Sequence, residues 1–346
     1  MSEPARPGTP VALDAHGADG GPEVVLEGAR IAAADGIGVR VFGPAALRPP
    51  DGVDHVACEG WIDNDADPVA AVRSTPEASV ARAAADVAEG GSGALVSAGS
   101  TGATMTAALF ALKRIQGVHR PALAAQIPVP TGERVLLLDC GANTEVRPQH
   151  LIQFAFLGAA FSEAVLAVER PRVALLSVGE EQKKGRPDVV EAHAALSGAD
   201  SIEFVGNLEG RDLLTGAADV VVTDGFTGNV ALKTLEGTAR AVADAVRGAA
   251  RSGPIAAAGG LLLRPALGGL RRKLDPNAVG GAILLGLRGV AVVAHGSSRA
   301  EGIANAVRLA DRSIRERAVE RTAESLKASG ATREGLRDAG PSTGER

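Results

Sequence analysis

What most constrains this fold is a rhythm: short, unbroken apolar runs separated by stretches of helical periodicity. Residues 11–14, 38–42, 94–97, 134–139, 172–178, 202–205, 219–224 and 289–293 read as strands built mainly from Val, Leu, Ile and Ala. Residues 21–34, 75–89, 148–169, 188–196, 229–251 and 299–328 carry helical spacing. A further helix runs on from residue 100 through Met105, Leu109, Leu112 and Ile115. Strands that lack polar alternation are buried on both faces, and interposed helices cover both faces of a parallel sheet. The fold class expected is therefore α/β, a three-layer α/β/α arrangement with a mostly parallel sheet. The division expected is a flexible tail at 1–10, one α/β domain over 11–328 and a flexible tail at 329–346.

Composition narrows the function classes. Aromatics make up only 2% of the 346 residues and Tyr is absent, so Ala, Val, Leu and Ile must build the core. A net charge of -5 gives no general basic field for nucleic acid. Cys58 and Cys140 stand far apart, which argues against a disulfide scaffold or a zinc site and fits a reducing cytoplasm. No HExxH, paired CxxC or Asp-rich cluster occurs, so no metal is expected; GxGxxG and GxxxxGK[ST] are also missing, so no cofactor is expected. No apolar run reaches the roughly 18 residues of a membrane span. The segment 255–274 stands apart, mixing Ile255, Leu261, Leu262, Leu263 and Leu267 with Arg264, Arg271, Arg272 and Lys273. It reads either as a helical hairpin at about 250–275 whose leucines meet a membrane surface, or as a dimer contact or core packing.

Polar residues gather where strands end, which is where ligands bind in folds of this class. Ser97-Ala98-Gly99-Ser100-Thr101-Gly102 joins a strand to a helix and offers free backbone N–H groups to an anion, phosphate above all. Asp14, His16, Gly17 and Asp19 follow the first strand, either as acid/base and orienting groups or as a tight turn that caps a helix. Asn143 closes a glycine turn, and Gly179, Glu180 and Lys184 lie in a charged loop that is either solvated or half of a phosphate clamp. Asn207 follows another strand. Asp224, Gly225, Gly228, Asn229 and Lys233 open a second helix, read as a second anion site. His295-Gly296-Ser297 ends the last strand.

Taken together, these motifs resemble the bacterial phosphate acyltransferase family of phospholipid synthesis. The resemblance runs from about residue 11 to about residue 309. It rests on Leu13-Asp14-Ala15-x-Gly17-x-Asp19, Val96-Ser97-Ala98-Gly99-x-Thr101-Gly102-Ala103 and Gly141-Ala142-Asn143. It continues in Gly179-Glu180-Glu181-x-x-Lys184-Gly185, Gly206-Asn207-x-Glu209-Gly210-Arg211-Asp212, Asp224-Gly225-Phe226-x-Gly228-Asn229-Val230-Ala231-Leu232-Lys233 and His295-Gly296-Ser297. The chain departs from the family at His16 and Ala18, where Met and Gly are usual, and at Ser100 and Arg186, where Asn is usual.

The resemblance implies a homodimer with a fold similar to the isocitrate and isopropylmalate dehydrogenases. It implies transfer of a long acyl chain from acyl-[acyl carrier protein] to inorganic phosphate. It also implies peripheral contact with the membrane from the cytoplasm and hand-over of acyl phosphate to a membrane glycerol-3-phosphate acyltransferase. The 97–102 turn, helped by Lys184, is then expected to hold phosphate. Asn229, Lys233 and His295 are expected to orient phosphate or the thioester oxyanion, and Asp14 and Asp224 to fix those groups or accept a proton. Arg114, Arg120, Arg271, Arg272 and Lys273 are candidates to meet an acidic carrier protein. The alternatives are a coenzyme A-dependent phosphate acetyl- or butyryltransferase, an oxidative decarboxylase on a similar fold, and a non-catalytic scaffold of lipid enzymes.

Overall fold

The computed structural model describes residues 8–130, 133–273 and 278–338, with backbone alone at 265–267, 269–273, 337 and 338. The strands are β1 (Val11–Asp14), β2 (Val39–Gly43), β3 (Val53–Ala57), β4 (Ala94–Ser97), β5 (Ala122–Pro128), β6 (Arg134–Leu138), β7 (Arg172–Leu176), β8 (Glu203–Leu208), β9 (Val220–Val222), β10 (Ala282–Leu285) and β11 (Val290–Val293). The helices are α1 (Gly21–Ala34), α2 (Pro68–Ser74), α3 (Ser79–Ala88), α4 (Thr101–Leu112), α5 (Pro148–Val165), α6 (Pro187–Ser197), α7 (Gly225–Ala249), α8 (Pro254–Lys273), α9 (Ala300–Arg315), α10 (Ala318–Ala328) and α11 (Arg333–Asp338).

The strands form one sheet in the order β3-β2-β1-β4-β11-β10-β5-β6-β9-β7-β8. Alternate strand residues feed two cores. Leu13, Val96, Leu136 and Val222 pack toward one face with Val25 of α1, Phe154 and Phe161 of α5 and Ile303 of α9. Ala12, Leu95, Leu137 and Val221 pack toward the other with Val80 of α3 and Ala107 of α4. Two-sided burial explains the continuous apolar runs, and the three-layer α/β/α expectation holds.

The sheet differs from the sequence reading at its centre. β5 and β10, not expected as strands, insert there, and β10–β11, β10–β5 and β5–β6 pair antiparallel. The sheet is therefore two parallel halves of opposite polarity. The strand-end motifs after β1, β4 and β11 lie on one edge, and those after β6, β9, β7 and β8 lie on the other.

Three helix expectations also change. The helix expected at 75–89 starts later, as α3, and α2 precedes it unexpected; Pro76 holds Thr75 between them out of helical conformation (φ -127, ψ 66). The closing helix at 299–328 breaks at Arg317, whose φ of 51 is left-handed. The segment at 255–274 is one continuous helix, α8, through Pro265, and it follows the long helix α7.

The body also extends past residue 328. Ala331 is buried, its carbonyl accepts from Gln153 Nε2, and Arg333 N–H donates to Gly117 O. Residues 329–338, expected within a tail, thus include α11 and contacts to the body, and residues 1–7 and 339–346 lie outside the described residues.

One core histidine makes stability depend on pH. His150 opens α5, where its Nδ1 accepts from Arg147 N–H at 3.2 Å. Burial, with Arg120, His119 and Arg147 nearby, lowers its pKa to about 4 from the ordinary 6.5. The unfolded chain binds this proton more readily, so the contribution is full above about pH 6.5 and lost as pH falls toward about 4. Urea unfolding of His150→Gln at pH 4.5 and pH 7 should show a difference smaller than the parent's by roughly 2 kcal/mol.

Candidate active site

Register builds the first half of the site. Asp14 and Val293 both pair with Ser97, which sets the ends of β1, β4 and β11 side by side. Asp14 is 3% exposed and accepts from Ser97 Oγ at 2.7 Å and from His16 N–H at 3.1 Å. Burial pushes its carboxyl pKa up, against the lowering effect of the Ser79, Ser97 and His16 hydrogen bonds. Ser97 Oγ accepts in turn from Gly99 N–H at 3.1 Å, so the buried carboxylate fixes the shape of the 97–102 turn.

Two glycines let the turns touch. Gly17 has φ +88, and a Cβ there would fall 2.3 Å from Gly99 Cα. Ser100 caps α4, its hydroxyl accepting from Ala103 N–H at 3.4 Å. The N–H groups of Thr101 and Gly102 find no acceptor among the described residues. They stand at the positive end of the α4 dipole, which is the backbone arrangement that receives an anion. Asp19 N–H donates to Gly296 O at 2.8 Å and brings the His295 turn alongside. His295 Nδ1 lies 2.8 Å from Ser297 Oγ, and its Nε2 lies 3.9 Å from Glu236 of α7.

The second group, on the opposite sheet edge, is tied up internally. Sequence reasoning passed over its keystone, Asp139. This fully buried carboxylate accepts from the N–H groups of Leu123, Gly141, Ala142 and Asn143 and from Asn143 Nδ2. The signal available was an Asp at a strand end directly before a glycine turn. Asn143, expected to bind substrate, spends its amide on Asp139 and Pro121 O. Asn207, with the same expectation, bonds His193 Nδ1 and Glu181 O, and so clips the 179–185 loop to α6.

The start of α7, expected from sequence as a second anion site, has three of its first four N–H groups claimed. Gly225 N–H donates to Asn143 O, Thr227 N–H to the Asp224 carboxylate and Gly228 N–H to Asp224 O. Asp224 also receives Arg186 Nη1 at 2.9 Å, so the helix carries its own neutralised anion. Gly179 is buried beside the exposed Glu180, which lies 4.0 Å from Arg211, and Lys184 is exposed with no ion pair among the described residues.

Helix α7 joins the two groups. From Gly225 to Glu236 it spans about 16 Å, and Asn229, Lys233 and Glu236 share one of its faces. Beyond residue 238 it stands exposed, as does the first half of α8: Leu261, Leu262 and Leu263 are 67%, 82% and 57% exposed. The side chains of Leu267, Arg271, Arg272 and Lys273 lie outside the described residues, while Arg114 and Arg120 are exposed on the turn after α4. Among the described residues no helix is long and apolar enough to cross a membrane, and no group of three or more His, Cys, Asp or Glu is placed to hold a metal.

Residues 9–321 match the family described as fatty acid synthesis protein. The chain belongs to this family. It is 50% identical over 253 residues to a phosphate acyltransferase of Elusimicrobium minutum, covering 73% of this chain and 74% of that protein. It is 41% identical over 336 residues to a phosphate acyltransferase of Anaeromyxobacter sp., covering 94% and 93%. These members make the chain an acyltransferase. Its fold is similar to that of a branched-chain phosphotransacylase from Enterococcus faecalis, with a TM-score of 0.59 at 18% identity, covering 88% and 99%.

Proposed function

We infer that the chain moves a long acyl group from acyl-[acyl carrier protein] to inorganic phosphate, giving acyl phosphate for glycerophospholipid synthesis. The observation that carries this reading is the open α4 N-terminus, with two unclaimed N–H groups, seated against the buried Asp14–Ser97 pair. Phosphate bound there is desolvated and held with one oxygen aimed at the thioester carbonyl. The new C–O bond forms as the C–S bond breaks, and the carrier thiolate leaves and takes up a proton. Phosphate is itself the nucleophile, so the protein supplies position and charge rather than a covalent intermediate.

Asp14 acts as a positioning group that shapes the turn through Ser97. His295, exposed beside Ser297 and Glu236, faces the thioester and donates to the leaving sulfur or the oxyanion. Lys233, on the same α7 face as Glu236, supplies the cation. Lys184 stands at the other sheet edge, and the clamp passes from it to Lys233. Lys233→Ala should raise the phosphate KM about tenfold, equivalent to about 1.4 kcal/mol, and Lys184→Ala should leave that KM within about twofold. Saturation curves in phosphate at fixed donor distinguish the two, and an equal effect from both variants would return Lys184 to the clamp.

Long chains and a carrier protein are the finer part of the reading. Each methylene buried adds about 0.8 kcal/mol, so kcat/KM for palmitoyl-carrier protein should exceed that for acetyl-coenzyme A by more than ~100-fold. The reverse order would favour the coenzyme A alternative. The exposed leucines of α8 suit a membrane surface or a second copy of the chain, as peripheral association and a homodimer require.

A further inference from the structure

The loop between β3 and α2 carries a feature that the reaction above does not use. Trp61, the one tryptophan of the chain, is 58% exposed and stacks on His16, with ring centroids 5.3 Å apart and planes 13° apart. Both rings are held in place. The indole N–H donates to Asp63 Oδ1 at 3.0 Å, the imidazole Nδ1 lies 3.5 Å from Ser79 Oγ, and the His16 backbone N–H donates to the buried Asp14 carboxylate at 3.1 Å. The next residue, Ile62, lines the same small cleft as His16, Asp14, Ser97 and Gly99. The stack therefore adjoins the cleft, which His16 and Ile62 both line, with one indole face covered by imidazole and Trp61 itself exposed.

We propose that Trp61, backed by His16 and continued by Ile62, is the platform on which the acyl chain of the donor lies. This rests on the reading that the cleft takes an acyl thioester. A carbonyl brought to the Ser97–Gly102 turn puts the first methylenes of its chain beside Ile62, and an extended chain continues over the indole. The surface suits methylenes rather than a phosphate or a carboxylate. Its polar edge is already bonded to Asp63, whose negative charge repels anions.

The test uses Trp61 as its own probe, because no Tyr or second Trp contributes emission. Palmitoyl-[acyl carrier protein], titrated without phosphate, should shift and saturate the emission, whereas free carrier protein should not. Trp61→Ala should raise the donor KM about tenfold for palmitoyl but less than twofold for butyryl donor, with Trp61→Phe recovering most of the loss. The phosphate KM should not follow. An emission insensitive to palmitoyl donor, or a KM effect equal for both chain lengths, would overturn the platform. If the parent bound donor with the emission shift yet formed no acyl phosphate, the platform would stand and the transfer reading would fall.

Discussion

Gly228→Ala should cost this protein at least about 4 kcal/mol and lower its melting temperature by roughly 10 °C or remove the cooperative transition altogether. A Cβ at Gly228 would lie 1.9 Å from the backbone oxygen of Asp139 and 3.0 Å from Thr223 Cγ2. The oxygen cannot step aside, because the adjoining Asp139 carboxylate is held by the turn it organises. Helix α7 would have to lift, breaking the Gly225–Asn143 bond and carrying Asn229 and Lys233 with it. Gly237 gives the control on the same helix. A Cβ there meets nothing within 4 Å, so Gly237→Ala should be neutral or stabilising by up to about 1 kcal/mol. Thermal melting of both variants reads the contrast, and equal melting temperatures would refute the close seating of α7.

Asp14→Asn should separate activity from stability. The amide cannot accept from both Ser97 and His16, so the 97–102 turn loses one of its ties, and kcat/KM should fall by about 100-fold. Stability should move the other way or hardly at all. Burial raises the Asp14 pKa above the ordinary 3.8, so the folded state binds this proton more tightly than the unfolded chain. Its contribution is full below about pH 3.8 and is lost as pH rises through the folded value. As pH rises through that value the parent takes on a buried charge that the amide never bears. Denaturant midpoints against pH should therefore converge at low pH and favour the variant, or match the parent, at pH 7. A variant both inactive and strongly destabilised at pH 7 would make Asp14 a structural carboxylate.

The layers were legible in the sequence because two-sided burial writes itself as continuous Val, Leu, Ile and Ala runs. Residues 94–97 were placed to the residue for that reason, and 21–34 by its helical spacing with Pro22 in the first turn. β5 was missed because Ala122-Leu123-Ala124-Ala125 is as compatible with a helix as with a strand, and β10 because it is short and lies between glycines. That omission hid the reversal of polarity, and with it the division of the strand-end motifs between two edges. Motif composition also did not reveal which polar groups are consumed internally. Asn143, Asn207 and Asp224 have the side chains of ligand-binding residues, but each takes a partner from a segment remote in sequence: Pro121, His193 with Glu181, and Arg186. The α4 turn could be read directly because its donors are backbone groups fixed by local geometry.

The most direct test of the central claim is the product balance of the parent protein with palmitoyl-[acyl carrier protein], with inorganic phosphate varied. Acyl phosphate, free palmitate and carrier thiol are followed together by mass. The account predicts one acyl phosphate and one free thiol per donor consumed, at a rate that saturates in phosphate. Donor consumption independent of phosphate, or none at all, would contradict it.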